Sequence, residues 1–259
     1  MRPGDRHAPA RLLRGLVWTA ALCLPASGAT QAPILADLSS YAVEIDTGFT
    51  GEEVVLFGAV DGGGDVIVVV RGPAQSAVVR EKQRVAGIWV NAPGIQFVQA
   101  PSFYAVAATR PIADLLDDTL RRQREIGVDM LRLMPSPGTA EDFDAAAIAA
   151  HRDALIGQME RRGLYADGVA PIAIQSGRLF RTRLAFPSDV PTGFYDIRVY
   201  EVRDGAIVEA TTTPLNIRKV GLEAELFRFA YEIPAIYGAC AVLIAFAAGF
   251  LPTVLRWLR

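Results

Sequence analysis

The chain has 259 residues, of which 51% are hydrophobic and 21% are charged. This composition is too apolar for an intrinsically disordered chain, and the length allows one large or two small domains. Residues 33–232 carry a net charge of −7, which argues against a nucleic-acid partner because phosphate neutralisation needs a basic surface. The two cysteines, Cys23 and Cys240, lie outside this segment, so no disulfide can form within it.

The first 32 residues have the three-part order of a secretory signal peptide. A head with four arginines is followed by an uncharged stretch over residues 16–24 and then by small residues. We predict that residues 1–29 are the signal peptide, with cleavage after Ala29 or, as the alternative, after Ala32. Cys23 follows Leu22 rather than a small residue, which argues against lipidation of that cysteine.

Short runs of β-branched and aromatic residues follow, separated by Gly, Pro and Asp clusters. This pattern is typical of a β-sandwich. The predicted strands in this part of the chain are 41–46, 53–58, 65–71, 77–80, 87–91, 96–99 and 103–107. Every residue from 66 to 70 is β-branched, so we expect a central strand with both faces covered.

The hydrophobic period becomes helical at Pro111, which suits a first helical position. A second helix is predicted to open at Thr139, with Asp142 completing a variant of the capping box. The break at residues 134–138 between these helices predicts a helical hairpin, inserted at about 111–165.

Strand signals return over 169–174, 179–186, 194–202 and 207–217. Residues 187–199 resemble the entry to the sixth strand of immunoglobulin-like folds, where a tyrosine hydroxyl binds back to the backbone. We therefore predict a mainly β fold, in which residues 33–230 form one immunoglobulin-like β-sandwich with the inserted helical hairpin. Two small domains that divide near residue 110 or 168 are the alternative.

Residues 233–251 carry no charge, and nineteen residues in a helix cover the hydrocarbon core of a bilayer. We predict a transmembrane helix at 233–254 and a tail at 255–259. Arginines follow the helix and acidic residues precede it, so the positive-inside rule places the C-terminus in the cytoplasm. The protein would then be a single-pass protein of the inner membrane, with its N-terminal domain in the periplasm.

Three small residues, Ala241, Ala245 and Gly249, repeat every four positions in the predicted transmembrane helix. A small-x-x-x-small ladder allows two helix backbones to approach closely. These residues are therefore the candidates for packing against a second membrane helix, either in a second copy of the chain or in another membrane protein.

Residues suited to catalysis are few. His151 is the only histidine beyond the predicted signal peptide, and its place on the apolar stripe of the second helix favours a half-buried structural role. The chain has no nucleophile elbow and no zinc-protease motif. The sequence thus predicts no enzyme, no catalytic residue, no metal and no cofactor.

One small-ligand site can be predicted from charge. Arg181 and Arg183 point to the same face of a predicted strand, and paired guanidinium groups bind carboxylate, sulfate or phosphate well. Together with Trp89 and Tyr104, they are the candidate ligand-binding residues, although Trp89 on its own is predicted to lie in the core.

Six segments are distinctive when taken together, namely residues 34–39, 47–51, 68–73, 87–91, 101–106 and 191–195. Together they resemble the alphaproteobacterial family of transmembrane proteins called Alph_Pro_TM. The resemblance covers the whole mature chain and implies a location in the envelope, a signal and a C-terminal anchor. It implies no reaction mechanism, and it suggests a permease of the sulfite-exporter type as a partner.

Two classes of function are consistent with these observations. The first is a non-enzymatic accessory or interaction protein of an envelope or transport complex. Its partners would be the bilayer, a permease, or a second copy bound through the membrane helix. The alternative is a periplasmic receptor for a small anion or another small ligand.

Overall fold

The computed structural model describes residues 34–60, 63–85, 87–221, 230–231 and 234–257. Within residues 234–257, the structure does not describe the side chains of residues 247, 248 and 250–257. The predicted signal peptide and residues 258–259 of the tail also lie outside the described residues. The described residues form a mainly β structure, as predicted.

The strands are, in chain order, β1 (Leu35–Leu38), β2 (Ala42–Ile45), β3 (Gly51–Ala59), β4 (Asp65–Arg71), β5 (Ala74–Val85), β6 (Ile88–Pro101), β7 (Tyr104–Ala108), β8 (Met134–Pro135), β9 (Tyr165–Pro171), β10 (Ala173–Gln175), β11 (Leu179–Pro187), β12 (Gly193–Arg203) and β13 (Ala206–Lys219). The helices whose bounds the described residues give are α1 (Ile112–Leu115), α2 (Asp118–Arg124), α3 (Pro137–Ala140), α4 (Ala145–Arg161) and α5 (Pro234–Trp257). Residues 230 and 231 are also helical. A 3-10 turn at Val128–Met130 follows α2.

These strands form three sheets. The four-stranded sheet has the order β1-β3-β11-β10, and the six-stranded sheet has the order β2-β13-β12-β4-β7-β9. The three-stranded sheet has the order β5-β6-β8. Most neighbouring strands are antiparallel, but the six-stranded sheet has a parallel pair at each end, β2 with β13 and β7 with β9.

One of the two middle strands of the six-stranded sheet is β4, which begins and ends where the sequence predicted. All five residues from Val66 to Val70 are buried. Because successive side chains in a strand point to opposite faces, both faces of the sheet are covered at this position. The prediction of a central strand is confirmed.

One face of the six-stranded sheet packs against the four-stranded sheet. The rings of Phe186 in β11 and Tyr195 in β12 meet edge to face, with centroids 5.8 Å apart. The ring of Phe103, just before β7, lies 5.2 Å from that of Phe186. These three rings join the two sheets in one hydrophobic core.

Tyr195 also confirms the backbone contact predicted for it. Its hydroxyl donates a hydrogen bond of 2.6 Å to the carbonyl oxygen of Pro191. Burial raises the pKa of this hydroxyl to about 12, so it stays protonated and continues to donate at neutral pH. The turn before β12 is thereby tied to the core.

The segment between β7 and β9 is more broken than the predicted hairpin. The first predicted helix is two short helices, because Asp117 starts α2 anew by accepting a hydrogen bond of 2.7 Å from the backbone N–H of Leu120. The long helix α4 begins after Asp144, whose side chain accepts from the N–H of Ala147 at 2.7 Å. The predicted start at Thr139 is therefore wrong.

The β5–β6 hairpin is longer than predicted, because residues 87–91 and 96–99 belong to one strand. A register shift between Arg80 and Lys82 leaves an extra residue in β6 and accommodates the turn-forming Pro93. Beyond this shift, the described side chains of both strands are exposed. We call the described residues 82–85 and 87–91 the β5–β6 arm.

Trp89 lies in the β5–β6 arm and is 66% exposed, so its predicted place in the core is wrong. A large apolar residue predicts burial only where another element covers it. Here the strand continues past the body of the sheet, and the ring points into solvent.

The helix α5 occupies the segment predicted to cross a membrane. Among the residues that the structure describes, no helix is both long enough and apolar enough to span a bilayer. Ala241, Ala245 and Gly249 all lie on α5 and are exposed. Their role in packing against another helix stays a prediction.

Candidate functional site

An open cleft of about 950 Å³ lies beside β9, at one edge of the six-stranded sheet. Its floor is formed by Val106 and Ala108 of β7 and by Val169 and Pro171 of β9. Ile112 of α1 and the α4 residues 152, 153, 156, 157 and 160 also line it, as do residues 127–129 of the 3-10 turn.

The apolar floor follows from the register of the two parallel strands. Val106 pairs with Val169, and Ala108 pairs with Pro171. Paired residues in neighbouring strands project to the same face of a sheet, so these four side chains lie side by side. Between Tyr165 and Val169 the strand β9 bulges, and Gly168 takes a φ of +96° that favours glycine.

The strand β9 also offers an open edge. It is the last strand of its sheet, with β7 as its one strand neighbour among the described residues. An edge strand leaves a row of N–H and C=O groups without sheet partners. Residues 167–171 are exposed, and Gly168, Val169 and Pro171 line the cleft, so this part of the strand is reachable from it.

Three arginines line the cleft, and each of them already has an acceptor. Arg121 donates to the carboxylates of Asp118 at 2.9 Å and Asp129 at 3.0 Å. Arg152 donates to the carbonyl oxygen of Asp129 at 2.6 Å. Arg110 pairs with Asp65. These guanidinium groups therefore hold the walls of the cleft together.

Tyr104 supports one wall from behind. Its hydroxyl donates to the carbonyl oxygen of Glu125 at 2.6 Å and accepts from the N–H of Gly127 at 2.9 Å. The side chain is fully buried, and burial raises the pKa of its hydroxyl. Glu125 is in turn paired with Arg71 of β4. The turn that lines the cleft is thus fastened to the sheet by buried and partly buried polar contacts.

The four predicted ligand-binding residues lie in three different sheets. Arg181 and Arg183 lie on the exposed side of β11 in the four-stranded sheet, as the strand alternation predicted, and no ion pair involves either of them in the described part of the chain. Trp89 lies in the β5–β6 arm, and Tyr104 lies in the core of the six-stranded sheet. Anion binding by the arginine pair stays a prediction, which titration of anions into the full-length protein would test.

His151 has the structural position that the sequence predicted. It is half-buried, its Nδ1 lies 2.8 Å from the carbonyl oxygen of Ala147, and its ring meets the edge of Phe143. In the described ranges, no group of three or more His, Cys, Asp or Glu side chains is placed to hold a metal ion.

Sequence reasoning missed the cleft itself. Its floor joins residues of β7 and β9 that are more than sixty positions apart, with the helices α1 to α4 between them. Only the parallel pairing of these strands brings them together. Val169 was predicted as the start of a strand, but a single sequence does not indicate which strand pairs with it.

Asp65 links the start of β4 to the cleft and predicts an acid sensitivity. Its carboxylate accepts from the Nε of Arg110 at 3.1 Å and from the hydroxyl of Thr109 at 2.7 Å. The Arg110 guanidinium lowers the pKa of Asp65 from its ordinary value of 3.8. The stabilisation by this carboxylate is therefore present above about pH 4 and is lost as the pH falls through the lower folded value.

We expect Asp65→Asn to lower the free energy of unfolding by about 1 kcal/mol at pH 7, because a charge-assisted hydrogen bond is weakened. The stability of the variant should also fall less than that of the wild type between pH 4 and pH 2. Urea unfolding over this range measures both effects. Asp167→Asn, at an exposed position, is the control. An equal acid dependence in Asp65→Asn and the wild type would contradict the prediction.

Comparison with known proteins gives one family. Residues 33–256 match the family described as "Putative transmembrane protein (Alph_Pro_TM)". No curated protein matches the chain significantly. Among solved structures, the sporulation control protein Spo0M from Bacillus subtilis matches with 10% sequence identity and a TM-score of 0.27, over 77% of this chain and 54% of that one. The chain thus spans about half the length of that structure, and a score this low supports no inference about fold or function.

Proposed function

This chain belongs to the transmembrane protein family Alph_Pro_TM, and we propose that it is a membrane-anchored periplasmic protein that binds an extended segment of a partner protein in the cleft beside β9. The observation that carries the proposal is the coincidence of an open strand edge with an apolar floor. The function is that of a non-enzymatic interaction protein of an envelope complex.

The membrane location is supported by the family and by α5. The family description supports a membrane protein. On α5, Val242, Leu243, Ile244 and Phe246 are all more than half exposed, which suits a helix covered by lipid. The single-pass topology, with the domain in the periplasm, is our inference from the predicted signal peptide and the arginines after residue 255.

We also propose that the two packed sheets form an immunoglobulin-like sandwich. The support is the hydrogen bond from the Tyr195 hydroxyl to the Pro191 carbonyl oxygen at the corner before β12. Such sandwiches present strand edges and loops to partners, while their chemistry varies from protein to protein.

The form of the cleft favours an extended segment as its occupant. A segment that pairs with β9 gains main-chain hydrogen bonds, and every second side chain then faces one side of the new strand. Val106, Ala108 and Val169 offer apolar contacts to those side chains. Because the arginines of the cleft are already paired, recognition rests on backbone pairing and apolar fit. We propose a permease of the sulfite-exporter type as the partner.

The test is to block the cleft without disturbing the fold. Val169 is 45% exposed, so Val169→Arg fills the cleft at little cost to stability. We expect at least a tenfold loss of affinity for the partner that co-purifies with full-length wild-type protein in mild detergent. A photoreactive residue at position 169 should cross-link to one segment of that partner.

Val208→Arg is the matched control, because Val208 is also an exposed valine in a strand, β13, and does not line the cleft. It should leave partner binding unchanged, and a photoreactive residue at 208 should give no cross-link. If Val169→Arg binds the partner as tightly as the wild type does, while both variants keep the wild-type melting temperature, the cleft is not the binding site.

A further inference from the structure

The tip of the β5–β6 arm is apolar and exposed. Val85 is 55% exposed, Ile88 is 70% exposed and Trp89 is 66% exposed, and Val90 beside them is also exposed. The two strands of the arm pair with each other, with Val85 opposite Ile88 and Arg84 opposite Trp89. Exposed apolar clusters of this kind mark places where a protein meets another phase or another molecule.

The arm projects from the body of the domain. Beyond the register shift, all described side chains on both faces are exposed, whereas Val79 and Ile95 just before it are buried. Five residues in a strand extend about 17 Å. The apolar tip is therefore held away from the core on a stem of paired strands.

Basic side chains accompany this tip. Arg80, Lys82 and Arg84 lie at alternate positions of β5, and Glu81 is the acidic residue among them. Lys82 and Arg84 share a face of the arm with Trp89, because Trp89 is paired with Arg84. Residues 33–232 carry a net charge of −7, so this basic stretch has the opposite sign of charge to the segment as a whole. It complements an anionic surface.

We propose that the arm inserts its tip into the surface of the anionic bilayer in which α5 anchors the protein. This inference rests on the proposed membrane anchoring. Ile88 and Val85 enter the boundary of the acyl chains, Trp89 lies at the level of the headgroups, and Lys82 and Arg84 contact lipid phosphates. The pairing of Val85 with Ile88 and of Arg84 with Trp89 satisfies the backbone groups between the two strands. The groups on the two outer edges of the hairpin need water or headgroup oxygens, so insertion is shallow and ends at the boundary of the acyl chains.

The length of the chain permits this contact. Fourteen residues separate the end of β13 at Lys219 from the start of α5 at Pro234. Such a connection spans at most about 50 Å. The domain therefore stays close to the membrane, and a projecting arm can reach its surface. The arm is a second point of attachment, which limits the orientations in which the domain presents its cleft.

The experiment uses full-length protein in liposomes and a polarity-sensitive fluorophore at single cysteines. One variant carries the fluorophore at native Cys240 in α5. The others carry it at Ile88→Cys or Phe194→Cys, with Cys240→Ser, and all carry Cys23→Ser. Phe194 is 74% exposed and lies on β12, so it reports on an exposed apolar position outside the arm. Spin-labelled lipid is the quencher.

In liposomes of phosphatidylglycerol and phosphatidylcholine, we expect spin-labelled lipid to quench the fluorophore at Ile88→Cys at least twofold more than the one at Phe194→Cys. Adding Lys82→Glu and Arg84→Glu should abolish this difference without changing the quenching at Cys240. Positions 82, 84, 88, 194 and 240 are exposed, so substitutions there should leave the fold as in the wild type.

Failure of the arm proposal and failure of the membrane anchoring give different results. Quenching at Cys240 with none at position 88 would overturn the arm proposal and leave the anchor intact; a protein partner for the arm predicts this result. The absence of quenching at Cys240 would overturn the membrane anchoring itself. Equal quenching at positions 88 and 194 would also count against the arm.

Discussion

Gly58→Ala is expected to lower the free energy of unfolding by about 3 kcal/mol, because the fold leaves no room for a side chain at this position. Gly58 lies in β3 between Ala36 of β1 and Phe180 of β11. A Cβ atom there would come within 3.0 Å of the carbonyl oxygen of Leu35 and of the Phe180 ring. The carbonyl cannot move without disturbing the β1–β3 pairing, and the ring is buried in the core.

The midpoint of urea unfolding of the full-length protein measures this effect. Gly138→Ala is the matched control, since an added Cβ in α3 would meet nothing within 4 Å. Alanine is also the better helix former, so this control should be neutral or stabilising by up to about 1 kcal/mol. Equal unfolding midpoints for the two variants would show that Gly58 is not tightly packed.

Tyr104→Phe is expected to cost about 2 kcal/mol and to weaken binding of the partner in the cleft. The phenylalanine ring would fill the same space, but the N–H of Gly127 and the carbonyl oxygen of Glu125 would lose their buried partner. These two groups belong to the turn that lines the cleft. The stability loss and the loss of affinity should therefore appear in the same variant.

Tyr165→Phe separates this effect from the general cost of removing a buried hydroxyl. The Tyr165 hydroxyl makes one hydrogen bond, of 2.9 Å, to the carbonyl oxygen of Pro101. We expect a loss of about 1 kcal/mol in the free energy of unfolding and unchanged binding of the partner. If Tyr104→Phe unfolds and binds as Tyr165→Phe does, the hydroxyl of Tyr104 does not hold the cleft in shape.

The strands were the most predictable part of the fold. A β-branched run specifies β4 by itself, because such side chains suit a pleated surface and few alternatives compete. The hydrogen bond of Tyr195 was also predictable from a local motif. The boundaries of the helices were less predictable. Thr139, Asp117 and Asp144 are all acceptable N-cap residues, and only tertiary packing decides which of them starts a helix.

The cleft and the β5–β6 arm were not predictable for a different reason. A strand pattern does not tell which strand is its neighbour, so the meeting of Val106 with Val169 depends on topology. Likewise, the apolar composition of residues 85–90 is the same whether a hairpin is covered or projects into solvent. Trp89 was therefore assigned to the core, whereas it is exposed. Tyr104, a candidate ligand-binding residue, is instead buried in the core.

The parallel pairing of β2 with β13 has a consequence for the order of folding. Glu44 and Arg218, which are 174 positions apart, face each other in this pair. A chain synthesised from its N-terminus therefore carries β2 without its partner until nearly the whole domain has emerged. Pairing over such a separation closes late and slowly. The six-stranded sheet is therefore completed only after its last strand has been made. A protein cut short before residue 216 would leave β2 without its sheet neighbour, whereas β12 would keep β4 and most of β13.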